Sequence, residues 1–408
     1  MTQAVERRTP LGVFVATMPL AGFGLYVALL TPVVVTLALK VEAVAPGSKE
    51  RDLGLVLGVG ALLAMISNPI AGRLSDRTAS RFGMRRPWLI GGTLLGTAGL
   101  VLVATAEDVP LIGVGWCITQ VSYNGALAAL TATLPDQVPD ARRGAVSGLA
   151  GIALQVAIVA GAVTAAVFSG DLARFLVPAA IALVLIGVFA AVLRDRVLAT
   201  RPATALGLRQ LLGTFVFDPR RHPDFAWTWL TRFAFMFATA TGVTYLPYFL
   251  TDEIGIPKDD VPGKVALATV VLTILTVVTS VVGGLLSDRI GRRKPFVMVA
   301  AVVAMAGLLV VAFAGTFSQV VVGFVIFGIG TGCFYAVDLA LVTQVLPSTD
   351  DTGKDLGIIN IANALPQSLA PAIAPVFLAI GGYPLLFAAG AVVGIVGALL
   401  VTRVRSVA

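Results

Sequence analysis

The sequence predicts an all-α integral membrane protein with twelve transmembrane helices, arranged as two pseudo-twofold-related six-helix bundles. Three observations predict this fold class. Hydrophobic residues make up 57% of the chain and charged residues only 12%, roughly half the charged content of a typical soluble domain. Long uncharged stretches alternate with short basic ones along the whole chain. One loop motif also occurs twice, at corresponding places in the two halves.

The uncharged stretches are each long enough to cross the hydrocarbon core, which requires about 20 apolar residues. Charged residues bound six stretches in the first half, at 8–40, 52–73, 86–107, 108–136, 143–171 and 174–194. The second half has single spans at 224–252 and 264–288, and double-length stretches at 294–350 and 355–403. Turn-forming residues near Gly315–Ser318 and Gly381–Pro384 divide the double-length stretches. The total is twelve spans.

Lysine and arginine residues accumulate on one side of this arrangement. If both termini are cytoplasmic, 22 of the 29 basic residues lie in cytoplasmic segments and six in outer loops. The positive-inside rule therefore predicts a multi-pass protein with both termini in the cytoplasm. The Ala-, Val-, Gly- and Arg-rich composition favours the cytoplasmic (inner) membrane of a bacterium. This placement also explains the net charge of +7 without a nucleic-acid partner.

The two halves share a duplicated loop. Gly72-Arg-Leu-Ser-Asp76-Arg77 matches Gly284-Leu-Leu-Ser-Asp288-Arg289, which lies 212 residues later. We expect an N-terminal bundle at residues 1–193, a basic cytoplasmic linker at 194–222 and a C-terminal bundle at 223–408. Duplicated bundles of this kind are typical of transporters that expose a central site alternately to each side of the membrane.

Both loop copies, with the Arg85-Arg86-Pro87 and Arg292-Arg293-Lys294-Pro295 segments after them, resemble the loop signature of the major facilitator superfamily. Within it, residues 75–87, Leu30-Thr31-Pro32, Leu356-Gly-Ile-Ile-Asn360 and Pro366-Gln367 resemble the sucrose–proton symporter branch and its glycoside–cation relatives. The resemblance implies a secondary transporter, not an enzyme. It implies symport of a small polar solute, a sugar or glycoside, with protons by alternating access.

Two spans bear on rival functions. Sucrose symporters carry an Arg and an Asp in span 4, whereas residues 120–130 of this chain carry no charge. Drug exporters of the superfamily usually have a Gly-Pro-rich signature in span 5, but residues 151–161 contain no proline. Export of amphipathic metabolites or drugs remains an alternative, as does a non-transporting membrane sensor. A membrane-embedded enzyme is disfavoured because the spans hold a single acid and the chain a single histidine.

Two charged residues lie within the spans, Arg232 in span 7 and Asp338 in span 10. A charge at the bilayer centre costs at least about 2.5–3.5 kcal/mol on insertion scales, so each requires a reason. At 1.5 Å per residue, both lie roughly 12–14 Å above the cytoplasmic ends of their spans. We therefore predict that they pair and that Asp338 is a proton acceptor. The alternative is a static salt bridge, or an Arg232 that reaches the cytoplasm.

Neutral polar side chains at helical spacing are candidates for a substrate cavity, because amides and hydroxyls orient a polar ligand by hydrogen bonds. The candidates are Gln120, Tyr123, Asn124, Gln155, Tyr335, Asn360, Asn363, Gln367 and Tyr26. A further polar face on span 8 carries Thr269, Thr273, Thr276 and Ser280. The alternative for each group is hydrogen bonding between helices, and for the span 8 face we favour this alternative.

The duplicated loops are predicted to act as gates. In the superfamily, the loop aspartates latch the cytoplasmic side through arginines or a helix dipole. The gating candidates are Gly72, Asp76, Arg77, Arg85, Arg86, Gly284, Asp288, Arg289, Arg292 and Arg293.

No cofactor or metal is predicted, since the sequence has no phosphate loop and no His-Glu-x-x-His motif. A proton is the expected coupling ion, because no acidic cluster that would suit sodium lies within a span. The expected partners are a small-molecule substrate and the lipid bilayer, and we expect a monomer.

Overall fold

The structure, a computed structural model, describes residues 9–198, 219–290, 293–345 and 352–404. All regular structure in these ranges is helical, which confirms the predicted fold class. The first half contains α1 (Leu11–Thr31), α2 (Leu37–Val44), α3 (Lys49–Ser75), α4 (Arg86–Thr105), α5 (Val109–Gln137), α6 (Asp140–Val167) and α7 (Asp171–Val192). The second half contains α8 (Pro223–Thr244), α9 (Leu246–Asp252), α10 (Val261–Ile290), α11 (Arg293–Ala312), α12 (Phe317–Gln344) and α13 (Thr352–Leu400).

The helices account for the twelve predicted spans. Within the described residues, nine helices are long and apolar enough to cross a membrane, and α8 with α9 forms a tenth span bent by 44°. The 43-residue stretch Ile361–Arg403 counts once among the nine but contains a break, so it supplies two spans. Helix α5, with 29 residues, is the remaining span, and it carries the polar residues of span 4.

Proline and glycine cause the irregularities within spans. Pro32 lacks the N–H that an α-helix requires, and a π-helical turn over Pro32–Thr36 joins α1 to α2. Helix α13 breaks at Gly381 and Gly382, as the turn residues predict. Gly382 has φ +66°, a conformation that a residue with a Cβ rarely adopts.

The chain divides into two compact units, residues 1–52 with 59–204, and residues 53–58 with 205–408. The division at 204 falls inside the predicted linker at 194–222, of which residues 199–218 lie outside the described part of the chain. The six residues at 53–58, a piece of α3, group with the second unit, and the predicted bundle boundaries stay a prediction.

The same helix packing recurs in each unit. Helix α4 packs along α5 in the first unit, and α11 packs along α12 in the second. A Cβ on Gly99 would lie 2.7 Å from the carbonyl oxygen of Gly115, and a Cβ on Gly307 would lie 2.7 Å from that of Gly323. Small residues permit this close approach of helices in a membrane. The matching glycine pairs support the duplication from tertiary contacts, independently of the loop motif.

Candidate functional site

Arg232 and Asp338 meet in the second unit, as predicted. The Arg232 Nη1 atom on α8 lies 2.8 Å from the Asp338 Oδ2 atom on α12. The Asp338 side chain is 1% exposed and the Arg232 side chain 13% exposed. A buried charge pair of this kind is far less costly than either charge alone. The coupling role of the pair remains a prediction.

The contact between these two side chains is close but poorly aligned. Neither carboxylate oxygen of Asp338 accepts a hydrogen bond from a described residue, and the Arg232 Nη1 atom likewise donates none. Buried polar groups are normally paired, since an unpaired one costs about 1–3 kcal/mol. Asp338 therefore has acceptor capacity that a proton, a water molecule or a substrate hydroxyl can use.

Asn363 forms a hydrogen bond with the Nε side of the Arg232 guanidinium. The Arg232 Nε group donates to the Asn363 Oδ1 atom at 2.7 Å, which joins α8 to α13. One turn earlier on α8, the Trp229 indole N–H donates to the carbonyl oxygen of Ile358 at 2.9 Å. Asn363, predicted as a cavity residue, thus positions the arginine in this conformation.

The other candidates of the second unit differ in their surroundings. The Tyr335 hydroxyl has only the weak acceptor Sδ of Met236, 3.9 Å away. Gln367 is exposed and donates to the carbonyl oxygen of Asn363 at 3.2 Å. The side chain of Asn360 lies outside the described part of the structure.

In the first unit, Gln120 and Asn124 form one hydrogen-bonded pair on α5. The Asn124 amide donates to the Gln120 Oε1 atom at 3.0 Å and to its carbonyl oxygen at 2.8 Å. Gln120 is buried and Asn124 half-buried. The Gln120 oxygen is therefore occupied, and its amide N–H groups have no acceptor among the described residues.

The remaining candidates of this unit are less uniform. Tyr123 is fully buried, its ring packs against Gly96, and its hydroxyl lies 3.0 Å from the Thr97 Oγ1 atom. This contact corrects its assignment as a cavity residue, because Tyr123 fills the α4–α5 interface. Tyr26 and Gln155 are half-buried and make no side-chain hydrogen bond to a described residue, so both remain candidates.

Arg85 is the centre of the first gating loop. Its guanidinium lies 2.5 Å from the Asp76 carboxylate and 3.0 Å from the Asp136 carboxylate, and it also donates to the Ser75 hydroxyl. The Arg85 side chain is only 4% exposed. One arginine therefore joins the end of α3 to the end of α5, in the manner predicted for a latch. Gly72 is half-buried in the last turns of α3, and Arg77 follows that helix.

Asp195 completes this loop, and the sequence analysis did not identify it. Its Oδ2 atom accepts the backbone N–H groups of Arg85 at 2.7 Å and Arg86 at 2.8 Å, which caps the N-terminus of α4. The Arg86 guanidinium donates to the carbonyl oxygen of Leu193. The sequence feature that could have identified Asp195 is its position as a single acid between Arg194 and Arg196, at the start of the basic linker. Residues 193–196 are thus bound to the first unit.

Burial raises the pKa of the Asp195 carboxyl above its usual range, and the backbone N–H groups of Arg86 and Arg85 oppose the shift. The group keeps its proton to a higher pH in the folded protein than in the unfolded chain. Its contribution to stability is therefore fully present below the unfolded pKa and is lost as the pH rises through the folded pKa.

Two substitutions of Asp195 separate the cap from the charge. Asp195→Ala removes the cap and is expected to lower the free energy of unfolding by about 1 kcal/mol. Asp195→Asn keeps an acceptor without the charge, so its stability relative to the unmodified protein should improve as the pH rises above about 4, the pKa of an unfolded aspartate. Thermal denaturation of the purified protein across this range measures both effects. Equal stability of the alanine variant and the unmodified protein would contradict the capping role.

The second gating loop is described only in part. Gly284 is half-buried, and a Cβ there would lie 3.7 Å from the Ala336 Cβ on α12. Arg289 is exposed and Arg293 is half-buried. The side chain of Asp288 and the whole of Arg292 lie outside the described residues, so the predicted latch in this half stays a prediction.

Three of the similar proteins illustrate what this chain resembles. The General alpha-glucoside permease of Schizosaccharomyces pombe is 40% identical over 65 residues, 16% of this chain and 12% of the permease. The Probable 4-methylmuconolactone transporter of Cupriavidus pinatubonensis is 32% identical over 136 residues, 33% of this chain and 31% of that transporter. The matched stretches thus span less than a third of either relative. A crystal structure of a variant of the nucleoside transporter NupG has a TM-score of 0.77 at 12% identity, and the match covers 96% of this chain and 99% of that one. At this identity it shows the shared fold.

The family is decided by a match along nearly the whole chain. The sequence model of the Major Facilitator Superfamily matches residues 11–269 and 250–407, which includes both duplicated loops. The spans, the repeated helix packing and this match agree. The chain belongs to the Major Facilitator Superfamily and is a multi-pass membrane transporter of a small-molecule substrate, not an enzyme.

Proposed function

We propose that this transporter imports a neutral polar solute of the sugar or glycoside class together with protons, by alternating access. The single observation that carries the proposal is Asp338, a carboxylate 1% exposed that lies beside one arginine and accepts no hydrogen bond from a described residue. A carboxylate in this setting changes its charge state at low cost when its cation moves away. Proton binding and release can thereby be linked to the movement of Arg232.

Arg232 supplies the link to conformation. It touches Asp338 on α12 and Asn363 on α13, so a change in the distance between these helices alters its distance from the carboxylate. When Arg232 leaves, the buried carboxylate loses its counter-charge and takes up a proton. When Arg232 returns, the charged form of Asp338 is favoured and the proton leaves.

The substrate class is supported by the polar residues and by one relative. Neutral amides and hydroxyls at Gln120, Asn124 and Tyr335 suit a ligand with many hydroxyl groups. The matched segment of the Schizosaccharomyces pombe protein belongs to a permease named for alpha-glucosides. We further propose a bacterial cytoplasmic membrane, cytoplasmic termini and a monomeric state, in accord with the basic cytoplasmic loops.

Transport in proteoliposomes tests the proposal. Purified protein in liposomes, with an inward proton gradient imposed by acid dilution, should accumulate radiolabelled maltose above its external concentration. A pH difference of about one unit stores about 1.4 kcal/mol per proton, enough for roughly tenfold accumulation. Dissipation of the gradient with a protonophore should abolish accumulation. Uptake that is unaffected by the gradient would overturn proton coupling.

A second candidate substrate is a small organic acid or lactone. A match over 136 residues is to a protein named as a probable 4-methylmuconolactone transporter. Competition separates the two classes in the same assay. Inhibition of maltose uptake by unlabelled sucrose supports the sugar class. Absence of maltose uptake together with 4-methylmuconolactone uptake supports the lactone.

A further inference from the structure

Three threonines on α10 lack hydrogen bonds in a buried part of the second unit. Thr269, Thr273 and Thr276 are 5%, 8% and 6% exposed, and none of their hydroxyls bonds to a described residue. Threonine within a helix usually donates to the carbonyl oxygen four residues earlier. Thr279 does so on the same helix, to Leu275 at 2.7 Å. The three unbonded hydroxyls therefore depart from the behaviour of their own helix.

These hydroxyls also differ from buried threonine hydroxyls that are closed off from solvent. The hydroxyl oxygens of Thr36 and Thr231 are occluded and accept no hydrogen bond from a described residue, whereas those of the α10 threonines are not among the occluded oxygens. Both Asp338 oxygens are occluded too, so water in the track reaches Asp338 only through the Tyr335 hydroxyl. Positions 269, 273 and 276 share one helical face and extend over roughly 10 Å, at 1.5 Å per residue. A narrow polar track thus runs along the middle of α10, and we name the three residues the threonine track.

The packing of α10 against α12 fixes where the track lies. Gly328 faces Leu272, Gly332 faces Thr279, and Gly284 faces Ala336. Residue numbers increase together on the two helices, so the helices run parallel.

Helical periodicity of about 100° per residue places Thr269 and Thr273 to one side of this contact line on α10. Thr276 lies at the edge of the line, since its carbonyl oxygen also faces Gly332. The same periodicity places Tyr335 and Asp338 to the side of opposite rotation on α12. Because the helices are parallel and face each other, a position rotated one way from the contact line on α10 and a position rotated the other way on α12 border the same groove between the two helices. The track and Asp338 therefore lie along one flank of the α10–α12 pair, with Tyr335 one turn before the acid.

At the Asp338 end of the groove, the carboxylate can still accept a hydrogen bond. Both Asp338 oxygens are buried and accept no hydrogen bond, and among the described residues the Tyr335 hydroxyl has only a sulfur atom within hydrogen-bonding reach. The charged and titratable groups facing Asp338 among the described residues are Arg232 on α8 and Tyr335 on its own helix. Asn363, which holds Arg232 from α13, is neutral.

We propose that the threonine track holds a file of water molecules that delivers protons to Asp338 from the outer side, by way of Tyr335. This inference rests on the proposed proton coupling and names its path. Each threonine hydroxyl can donate to one water and accept from the next, as proton transfer along a file requires. The proton is taken from the outer solution. Each water or hydroxyl of the file passes on one proton as it accepts another, so the net change is one proton lost outside and one O–H bond formed at a carboxylate oxygen of Asp338. The start of α10 at Val261 lies on the side that the charge distribution places outside.

Thiol labelling tests the track without any substrate. Single cysteines are introduced by Thr269→Cys, Thr273→Cys and Thr276→Cys, in a Cys117→Ser, Cys333→Ser background. A water-filled track predicts modification of all three by silver ions or a small methanethiosulfonate applied from outside. Thr231→Cys is the matched control, because Thr231 is 1% exposed and its hydroxyl oxygen is occluded, so a cysteine there should stay unreactive. Inert cysteines at all three track positions would overturn the track.

Valine substitutions test the proton role, since valine matches threonine in shape and lacks the hydroxyl. Thr269→Val with Thr273→Val should slow gradient-driven maltose uptake several-fold and leave maltose counterflow unchanged. Thermal stability should change little, because these hydroxyls bond to no described protein group and only hydrogen bonds to water are lost. Thr279→Val, which loses bonds to Leu275 and Gly328, should lower thermal stability without slowing driven uptake.

The outcomes separate this inference from the proposed function. Driven uptake at the normal rate in the double valine variant would overturn the proton path and leave proton coupling intact. Maltose accumulation in the unmodified protein that ignores the proton gradient would overturn the proposed function and the proton path together.

Discussion

Asp338→Asn is expected to abolish proton-driven accumulation, so that the internal solute concentration only equals the external one. Asparagine keeps the shape of the side chain but cannot bind and release a proton. The substitution also leaves Arg232 without its counter-ion, 2.8 Å from the position of the lost charge. Counterflow of labelled against unlabelled maltose should continue, because exchange does not require proton release. The measurement is the steady-state accumulation ratio in proteoliposomes with an imposed proton gradient.

A matched control separates coupling from local damage. Asp252→Asn removes a carboxylate that accepts the Tyr383 hydroxyl at 2.7 Å, at the end of α9 and away from Arg232. This variant should retain accumulation. Asp338→Asn with intact accumulation would refute the carrier role, and the Arg232–Asp338 contact would then be a structural salt bridge.

Arg85→Met is expected to cause the largest loss of stability, about 3 kcal/mol in the free energy of unfolding. The substitution removes a cation that is 4% exposed, and the Asp76 and Asp136 carboxylates then lack their shared counter-ion. The expected cost lies at the lower end for a broken buried pair, because both acids retain contact with water. Denaturation of the purified protein in detergent measures the loss.

Arg81→Met is the matched control in the same loop. Arg81 is exposed and stacks over Phe82 at 4.7 Å, so its loss should change stability by no more than about 0.5 kcal/mol. Equal stability of the two variants would show that Arg85 is not the centre of the loop. If Arg85→Met folds but loses transport, the latch also serves the transport cycle.

The charge pattern by itself determined the number of spans and their grouping into two halves. A charged residue cannot be left in hydrocarbon without cost, so the ends of the spans appear in the sequence. The same cost made Arg232 and Asp338 conspicuous, and helix rise placed them at one depth. The sequence also identified the Gly381–Gly382 break, because glycine permits the required backbone conformation.

Tertiary structure alone decided which polar residues are already satisfied. Tyr123 and Asn124 are neighbours with similar sequence signals, yet Tyr123 fills a helix interface and Asn124 bonds to Gln120. Asp195 caps a helix that begins 109 positions earlier in the chain. Hydrogen bonds between distant segments depend on how helices rotate about their axes and pack together. Helical spacing fixes the face a residue occupies, but only the packing of neighbouring helices fixes what that face meets.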